Sequence, residues 1–295
     1  MGTVCTVTLF EKGYGSIYNE IFSGAREIEN LMSLNIPSSD VSRAKAAAGI
    51  APVQVHNDVF KVIERALYFA EISGGAFDPS VGPLVSLWGI NEDSPNVPSR
   101  EEIDAVLSLV DWRNVELDAD SQTVFLKHTG MALDLGAIAK GYAADRAAEI
   151  AKKAGVKRAI IDFGGNIVIL GEREDKRPWR VGIQDPNGER GEYIGVVPVS
   201  QLTYGQVSVV TSGVYERFFE KDGKTYHHIF SPAHGYPADN ELTSVTIIAP
   251  NSMDADALST AVFVMGYEKG KALIDTMPEA EAVFVMRDNS VRGLP

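Results

Sequence analysis

Apolar residues recur along this chain with two different periods, and the two are mixed irregularly. Val4-Cys5-Thr6-Val7-Thr8-Leu9-Phe10 reads as a strand and leads into residues 16–32, where Ile17, Ile21, Phe22, Ala25, Ile28, Leu31 and Met32 keep the spacing of one helical face. A second helical pattern covers 58–72, after a cap at Asn57 or Asp58, and stops at Gly74-Gly75. The stretch from Ala76 to Leu84 carries two prolines and a glycine and reads as an ordered loop. A short helix over 98–109 opens with the capping pattern Ser99-Arg100-Glu101-Glu102, and two β segments around 114–126 flank Asp118-Ala119-Asp120-Ser121. A long helix over 137–153, rich in small residues, is followed mostly by strands: 159–162, 167–171, 179–184, 193–199, 207–211 and a hairpin turning at Lys221-Asp222-Gly223-Lys224. The chain closes with a strand at 243–249, helices near 254–265 and 267–276, and a strand at 281–286. Without a regular βα alternation, the pattern predicts an α+β fold, built as two intimately packed lobes of mixed sheet and helix, and not a doubly wound sheet.

Charge and composition narrow the function classes. The 295 residues hold 27 Lys+Arg against 40 Asp+Glu, a net charge of −13, which excludes a basic nucleic-acid binder as the default. The lone cysteine, Cys5, excludes an intramolecular disulfide framework and a multi-thiolate zinc site. No stretch approaches the roughly 18 consecutive apolar residues that span a bilayer, and no basic segment with an apolar run opens the chain. The sequence therefore reads as a soluble protein, with a removed export signal left open.

Several short segments carry groups suited to chemistry. In Ser252-Met253-Asp254-Ala255-Asp256-Ala257-Leu258-Ser259-Thr260, Asp256 and Thr260 stand at i and i+4 on one helical face. A carboxylate and a hydroxyl so placed suit a hard cation such as Mg²⁺, which prefers oxygen ligands. Alternatively, Asp254 and Asp256 cap the helix and complement its dipole, and spacing alone favours this second reading. Leu133-Asp134-Leu135-Gly136-Ala137-Ile138-Ala139-Lys140-Gly141-Tyr142 puts a glycine and a lysine where a strand turns into a helix, a place for an anion or its metal, although neither a Walker loop nor a dinucleotide fingerprint is present. His227 and His228 are adjacent, so on a strand only one faces a given pocket; a base role and a plain hydrogen-bonded role are both open. Val210-Thr211-Ser212-Gly213 and Asp162-Phe163-Gly164-Gly165-Asn166 are small-residue turns that suit either plain turns or close approach of a ligand to the main chain. Ser212 lacks the nucleophile elbow of a serine hydrolase.

Together these segments resemble the FAD:protein FMN transferase family, the ApbE-like flavin transferases, over nearly the whole chain. The matching motifs are Met1-Gly2-Thr3, Gly74-Gly75-Ala76-Phe77-Asp78-Pro79 with Pro83-Leu84 and Leu87-Trp88-Gly89, the Leu133–Tyr142 segment, Gly164-Gly165-Asn166, Thr211-Ser212-Gly213 with Tyr215-Glu216-Arg217, His228-Ile229-Phe230-Ser231-Pro232 and Asp256-Ala257-Leu258-Ser259-Thr260. The resemblance implies a single domain over 1–295 with a T-fold-like core and two interleaved lobes, its active site between them. It also implies Mg²⁺-dependent transfer of FMN from FAD to a threonine of an acceptor flavoprotein, with release of AMP. By motif, the metal ligands are Asp256, Thr260 and the main-chain carbonyl of Ala137. The FAD site is lined by Met1, Asn35, Ala76, Phe77, Asp78, Asp134, Lys140, Thr211 and Ile229. His228 assists phosphoryl transfer, so the catalytic set is His228, Lys140 and Asp256.

Two departures stand out. Ser33-Leu34-Asn35 has Asn35 where the family often has an aromatic residue, and Ser231 replaces an aspartate. An asparagine amide stacks poorly on a flavin or adenine ring, which predicts weaker retention of FAD and hydrolysis to FMN and AMP in the absence of acceptor. An FAD pyrophosphatase and a non-catalytic periplasmic FAD binder are the alternatives. The resemblance further implies a periplasmic location, with a lipid anchor in the full-length precursor.

Overall fold

The computed structural model describes residues 2–90, 95–189, 191–199 and 205–293. They form two compact units, one drawn from Met1–Glu27, Ile138–Gly213 and Glu241–Pro295, the other from Ile28–Ala137 and Val214–Asn240.

The first unit is organised by an antiparallel seven-stranded sheet. Its strands run side by side in the order Cys5–Leu9, Ala159–Phe163, Asn166–Leu170, Gln206–Gly213, Leu242–Ala249, Glu281–Met286 and Val291–Arg292. Period-two alternation decides what each face covers. Val207, Val209, Val283 and Val285 point to one side, where the hairpin Trp179–Gln184/Tyr193–Val199 packs Val181, Ile183, Val197 and Val199 against them. Ser208, Val210 and Ser212 point to the other side, which the helices Ala139–Lys153 and Ser252–Met265 cover. Gly164 and Gly165, at φ 64° and 87°, close the turn between the second and third strands; a Cβ on Gly164 would lie 2.1 Å from Thr3 Oγ1, which explains the glycine at that position.

The second unit holds the helices Asp40–Ala46, Asn57–Ile72, Gly82–Trp88 and Arg100–Leu107, a three-stranded sheet in the order Val53–Gln54, Thr123–Leu126, Val115–Asp118, and the hairpin Phe218–Lys221/Lys224–His227. Trp88 is fully buried among Leu84, Ile103 and Phe230, with Tyr226 and Tyr236 rings 5.4 and 5.7 Å away, and its indole N–H donates to the Gly235 carbonyl at 2.9 Å.

The α+β expectation holds, with local corrections. Residues 82–84 are not loop but the first turn of the helix Gly82–Trp88, because Pro83 stands at a helix start, where its missing N–H costs nothing. The cap of the helix Asn57–Ile72 is neither Asn57 nor Asp58 but His56, whose ring accepts from the Asp58 N–H. Likewise, Asn251 caps the helix Ser252–Met265, in place of Asp254 or Asp256. The helix Asp40–Ala46, capped by Ser39, had no counterpart in the sequence reading.

Candidate functional site

In the first unit, two helix N-termini, Ala139–Lys153 and Ser252–Met265, supply each other with carboxylates. The helix Ala139–Lys153 starts at Ile138 with no side-chain cap, so its first N–H groups need acceptors from elsewhere. Asp256, only 2% exposed, provides one: its Oδ2 accepts from the Gly141 N–H at 3.0 Å. Lys140 Nζ lies 3.1 and 3.3 Å from the two oxygens of the same carboxylate. In return, Asp145 accepts from the N–H groups of Ser252 and Met253 at 3.0 and 2.8 Å, which completes the first turn of the second helix. Burial pushes the Asp145 carboxyl up to about 7, and the nearby charges of Asp254 and Glu149 add to the rise against the two hydrogen bonds that lower it.

This exchange requires the two backbones to come very close. A Cβ at Gly141 would meet the Ser252 carbonyl oxygen at 2.2 Å and Met253 Cα at 2.8 Å, so only glycine fits there. The small residues that follow, Ala143, Ala144, Ala147 and Ala148, are buried along the same helix.

A hydroxyl cluster lies one turn further along the second helix. Thr260 Oγ1 is 3.2 Å from Ser212 Oγ, Ser212 Oγ is 2.7 Å from Ser259 Oγ, and Ser259 donates to the Asp256 carbonyl oxygen at 2.9 Å. Thr211, next to Ser212 on the strand, turns to the opposite face and bonds Thr246 Oγ1 at 2.8 Å. The first unit therefore gathers Lys140, Asp256 and Thr260 with Ser212 and Ser259, and sends Thr211 elsewhere.

The second unit holds the other expected residues except Met1, which lies outside the described residues. Phe77 is buried with its ring edge-on to Phe69, and its N–H donates to Ser73 Oγ at 3.0 Å. Asp78 binds its own loop: its carboxylate accepts from Ser80 N–H and O–H at 2.8 and 2.6 Å and from Trp112 N–H at 3.1 Å. Burial raises the Asp78 carboxyl above its ordinary range, against those three hydrogen bonds. Ala76 is half-buried in the same loop, and the Asp134 N–H donates to its Pro79 carbonyl at 2.8 Å. The Asp134 carboxylate accepts from Gly136 N–H at 2.6 Å and so shapes the turn that leads to Ala137, which is half-buried. Asn35 is exposed, and its N–H donates to Ser33 Oγ at 3.2 Å.

The two histidines have different surroundings. His227 is buried; its Nδ1 accepts from the Ile229 N–H, so Nε2 carries the proton and donates to the Ala238 carbonyl at 3.0 Å. Ile229 is itself buried, and its carbonyl accepts from Ala238 N–H. His228 Nδ1 lies 3.2 Å from the Arg217 carbonyl, which can only accept. The neutral ring is thus protonated on Nδ1, and Nε2 is the basic nitrogen.

The profile of the family described as ApbE family matches residues 1–284. The chain belongs to the ApbE family. A Treponema pallidum protein named FAD:protein FMN transferase is 41% identical, over 99% of this chain and 84% of its own length. The crystal structure of an ApbE protein from Thermotoga maritima superposes with a TM-score of 0.89 at 35% identity, covering 99% of this chain and 94% of that one. The flavin transferase ApbE from Vibrio cholerae superposes at 0.86 with 28% identity, covering 99% and 93%.

Within this ApbE-family chain, sequence reasoning missed three residues that the geometry brings forward: Asp145, Ser212 as a partner of Thr260, and Ser259. Ser259 had a readable signal, because it stands three residues after Asp256 and can reach that carbonyl on a helix. Asp145 had none, since its partners lie 107 and 108 positions away.

Proposed function

We propose that this protein transfers FMN from FAD to a threonine hydroxyl of a target flavoprotein and releases AMP. The observation that carries the reading is a buried carboxylate, Asp256, held by Lys140 and followed one helical turn later by the hydroxyl of Thr260. Membership of the ApbE family and the names of its relatives support the same reaction.

Mg²⁺ fits the donors present. Asp256 and Thr260 offer hard oxygen atoms, the ligands this ion prefers, and the Ala137 carbonyl is the third by resemblance. Among the described residues no group of three or more His, Cys, Asp or Glu side chains could hold a metal. Mg²⁺ commonly binds through one or two carboxylates and leaves its other positions to water and phosphate. When bound, Mg²⁺ neutralises charge on the pyrophosphate and on the departing AMP.

The protein's own groups have separable tasks. Lys140 contributes positive charge toward the pyrophosphate in a chain of net charge −13. His228, through Nε2, takes the proton of the attacking threonine. The threonine oxygen bonds to the FMN phosphorus, the bridging P–O bond to AMP breaks, and AMP leaves with that electron pair. Ala76, Phe77, Asp78, Asp134, Asn35, Ile229 and Met1 complete the FAD site in this reading, without Thr211, whose hydroxyl faces the other side of the sheet. The proposal extends to a periplasmic site of action with a lipid anchor in the precursor; no helix among the described residues is long and apolar enough to cross a membrane.

The test incubates the protein with FAD, Mg²⁺ and a flavoprotein fragment bearing a candidate threonine, and reads covalent flavin fluorescence on the denatured fragment. The unmodified protein should label it, and Asp256→Ala should label it at least ~100-fold more slowly, the scale of losing one electrostatic element of a phosphoryl-transfer site. Equal labelling by both rejects the reading.

A further inference from the structure

We propose that Ser212 and Ser259 are positioning residues that fix the direction of the Thr260 hydroxyl, so that its proton points away from Mg²⁺ and its lone pairs toward it. The inference rests on the reading of Thr260 as a metal ligand and adds how that ligand is polarised.

Proton counting carries the argument. Each hydroxyl has one proton to donate and two lone pairs that accept. The chain of contacts ends on the main-chain carbonyl of Asp256, which only accepts, so Ser259 donates there at 2.9 Å. With that proton committed, the 2.7 Å contact between Ser212 and Ser259 is made by the Ser212 proton. Ser212 then has none left for Thr260, and the 3.2 Å contact is made by the Thr260 proton. The relay therefore runs one way, from Thr260 through Ser212 and Ser259 to Asp256. A hydroxyl bound to a cation must place its proton elsewhere, and this relay provides the place.

The fold explains why the relay keeps its direction. Ser259 is fully buried on the helix face that packs on the sheet, where water does not compete for its hydroxyl. Ser212 reaches it from the helix-facing side of the strand Gln206–Gly213, which is locked on both sides by the neighbouring strands Asn166–Leu170 and Leu242–Ala249. Both ends of the relay belong to the same pair of ligand residues: it begins on the side chain of Thr260 and ends on the main chain of Asp256. Displacement of either serine would loosen the metal without removing a ligand, as outer hydrogen-bond partners do in metal sites generally.

The test measures metal binding directly, with Mn²⁺ alone as the probe and its free concentration read from the EPR signal. Ser212→Ala should weaken binding by about 10-fold or more, within the range for lost outer partners. Ser212→Thr, which keeps the hydroxyl, should bind within about two-fold of the unmodified protein, and Ser259→Ala, which frees the direction of the Ser212 proton, should fall between them. Thermal unfolding of the same samples separates this loss from a general loss of fold, and the two serine positions give independent readings if one variant folds poorly. The proposal is overturned if Ser212→Ala and Ser259→Ala both bind Mn²⁺ as the unmodified protein does while Thr260→Ala loses binding. If Thr260→Ala also binds normally, the assignment of Thr260 as a ligand fails, and the proposal fails with it.

Discussion

Replacing Gly141 by alanine places a methyl 2.2 Å from the Ser252 carbonyl oxygen, 2.6 Å from its carbon and 2.8 Å from Met253 Cα. All three are main-chain atoms, so no side chain can swing aside. An ordinary carbon–oxygen contact is about 3.3 Å or more, so the two helices must part by roughly 1 Å. Overpacking of this kind costs about 1–3 kcal/mol. The same movement stretches the Gly141 N–H bond to Asp256 from 3.0 Å to about 4 Å, beyond hydrogen-bond range. Losing a bond to a buried carboxylate adds about 1.5–3 kcal/mol, partly overlapping the first cost. We expect urea unfolding to show a loss of about 2–4 kcal/mol in total. We also expect AMP release from FAD to slow about 100-fold, since a 1 Å misplacement of positioning groups has that scale. If Gly141→Ala stays within about 0.5 kcal/mol of the unmodified protein and turns over FAD at the same rate, the close helix crossing does not govern the site.

Three further outcomes follow from individual contacts. Asp145 keeps its proton up to about pH 7 when folded but releases it near pH 3.9 when unfolded, so the folded state holds more protons in between. Its contribution to stability is full below about pH 4 and is lost as pH rises to about 7, with a slope of at most about 1.4 kcal/mol per pH unit, and Asp145→Asn should lack that part of the slope in urea titrations between pH 5 and 8; identical slopes would contradict the assignment. Lys140→Met removes the ammonium from a carboxylate that is 3% exposed, which should cost about 3 kcal/mol without metal, and added Mg²⁺ should then raise the melting temperature more than in the unmodified protein; an equal rise in both would count against a shared site. Asn35→Tyr adds an aromatic face at an exposed position and should retain more FAD after gel filtration and hydrolyse it more slowly without acceptor; equal retention and turnover would reject the stacking argument.

How far the sequence revealed these features depends on whether their signals are local. The strands Trp179–Gln184, Tyr193–Val199 and Glu281–Met286 were legible to the residue, because each β-branched and apolar run ends there in polar residues. Ser99 and Glu102 form the capping box that their spacing predicts. The helix Gly82–Trp88 was not legible, since a proline can either break a helix or open one, and only the surrounding packing decides which. His56 escaped because histidine is an uncommon cap and its ring must be correctly oriented to accept the Asp58 N–H. At the site, the i, i+4 relation of Asp256 and Thr260 was visible, whereas the mutual capping of two helices was not. Asp145 and Ser252, and Asp256 and Gly141, meet only when the sheet brings distant segments together.

Covalent attachment of FMN to a threonine is read by intact and fragment mass spectrometry of an acceptor flavoprotein. After incubation with this protein, FAD and Mg²⁺, the acceptor should gain the mass of an FMN phosphoester, located on a threonine, with AMP appearing in equal amount. FMN and AMP free in solution, with the acceptor mass unchanged across candidate acceptors, would contradict transfer and leave a pyrophosphatase.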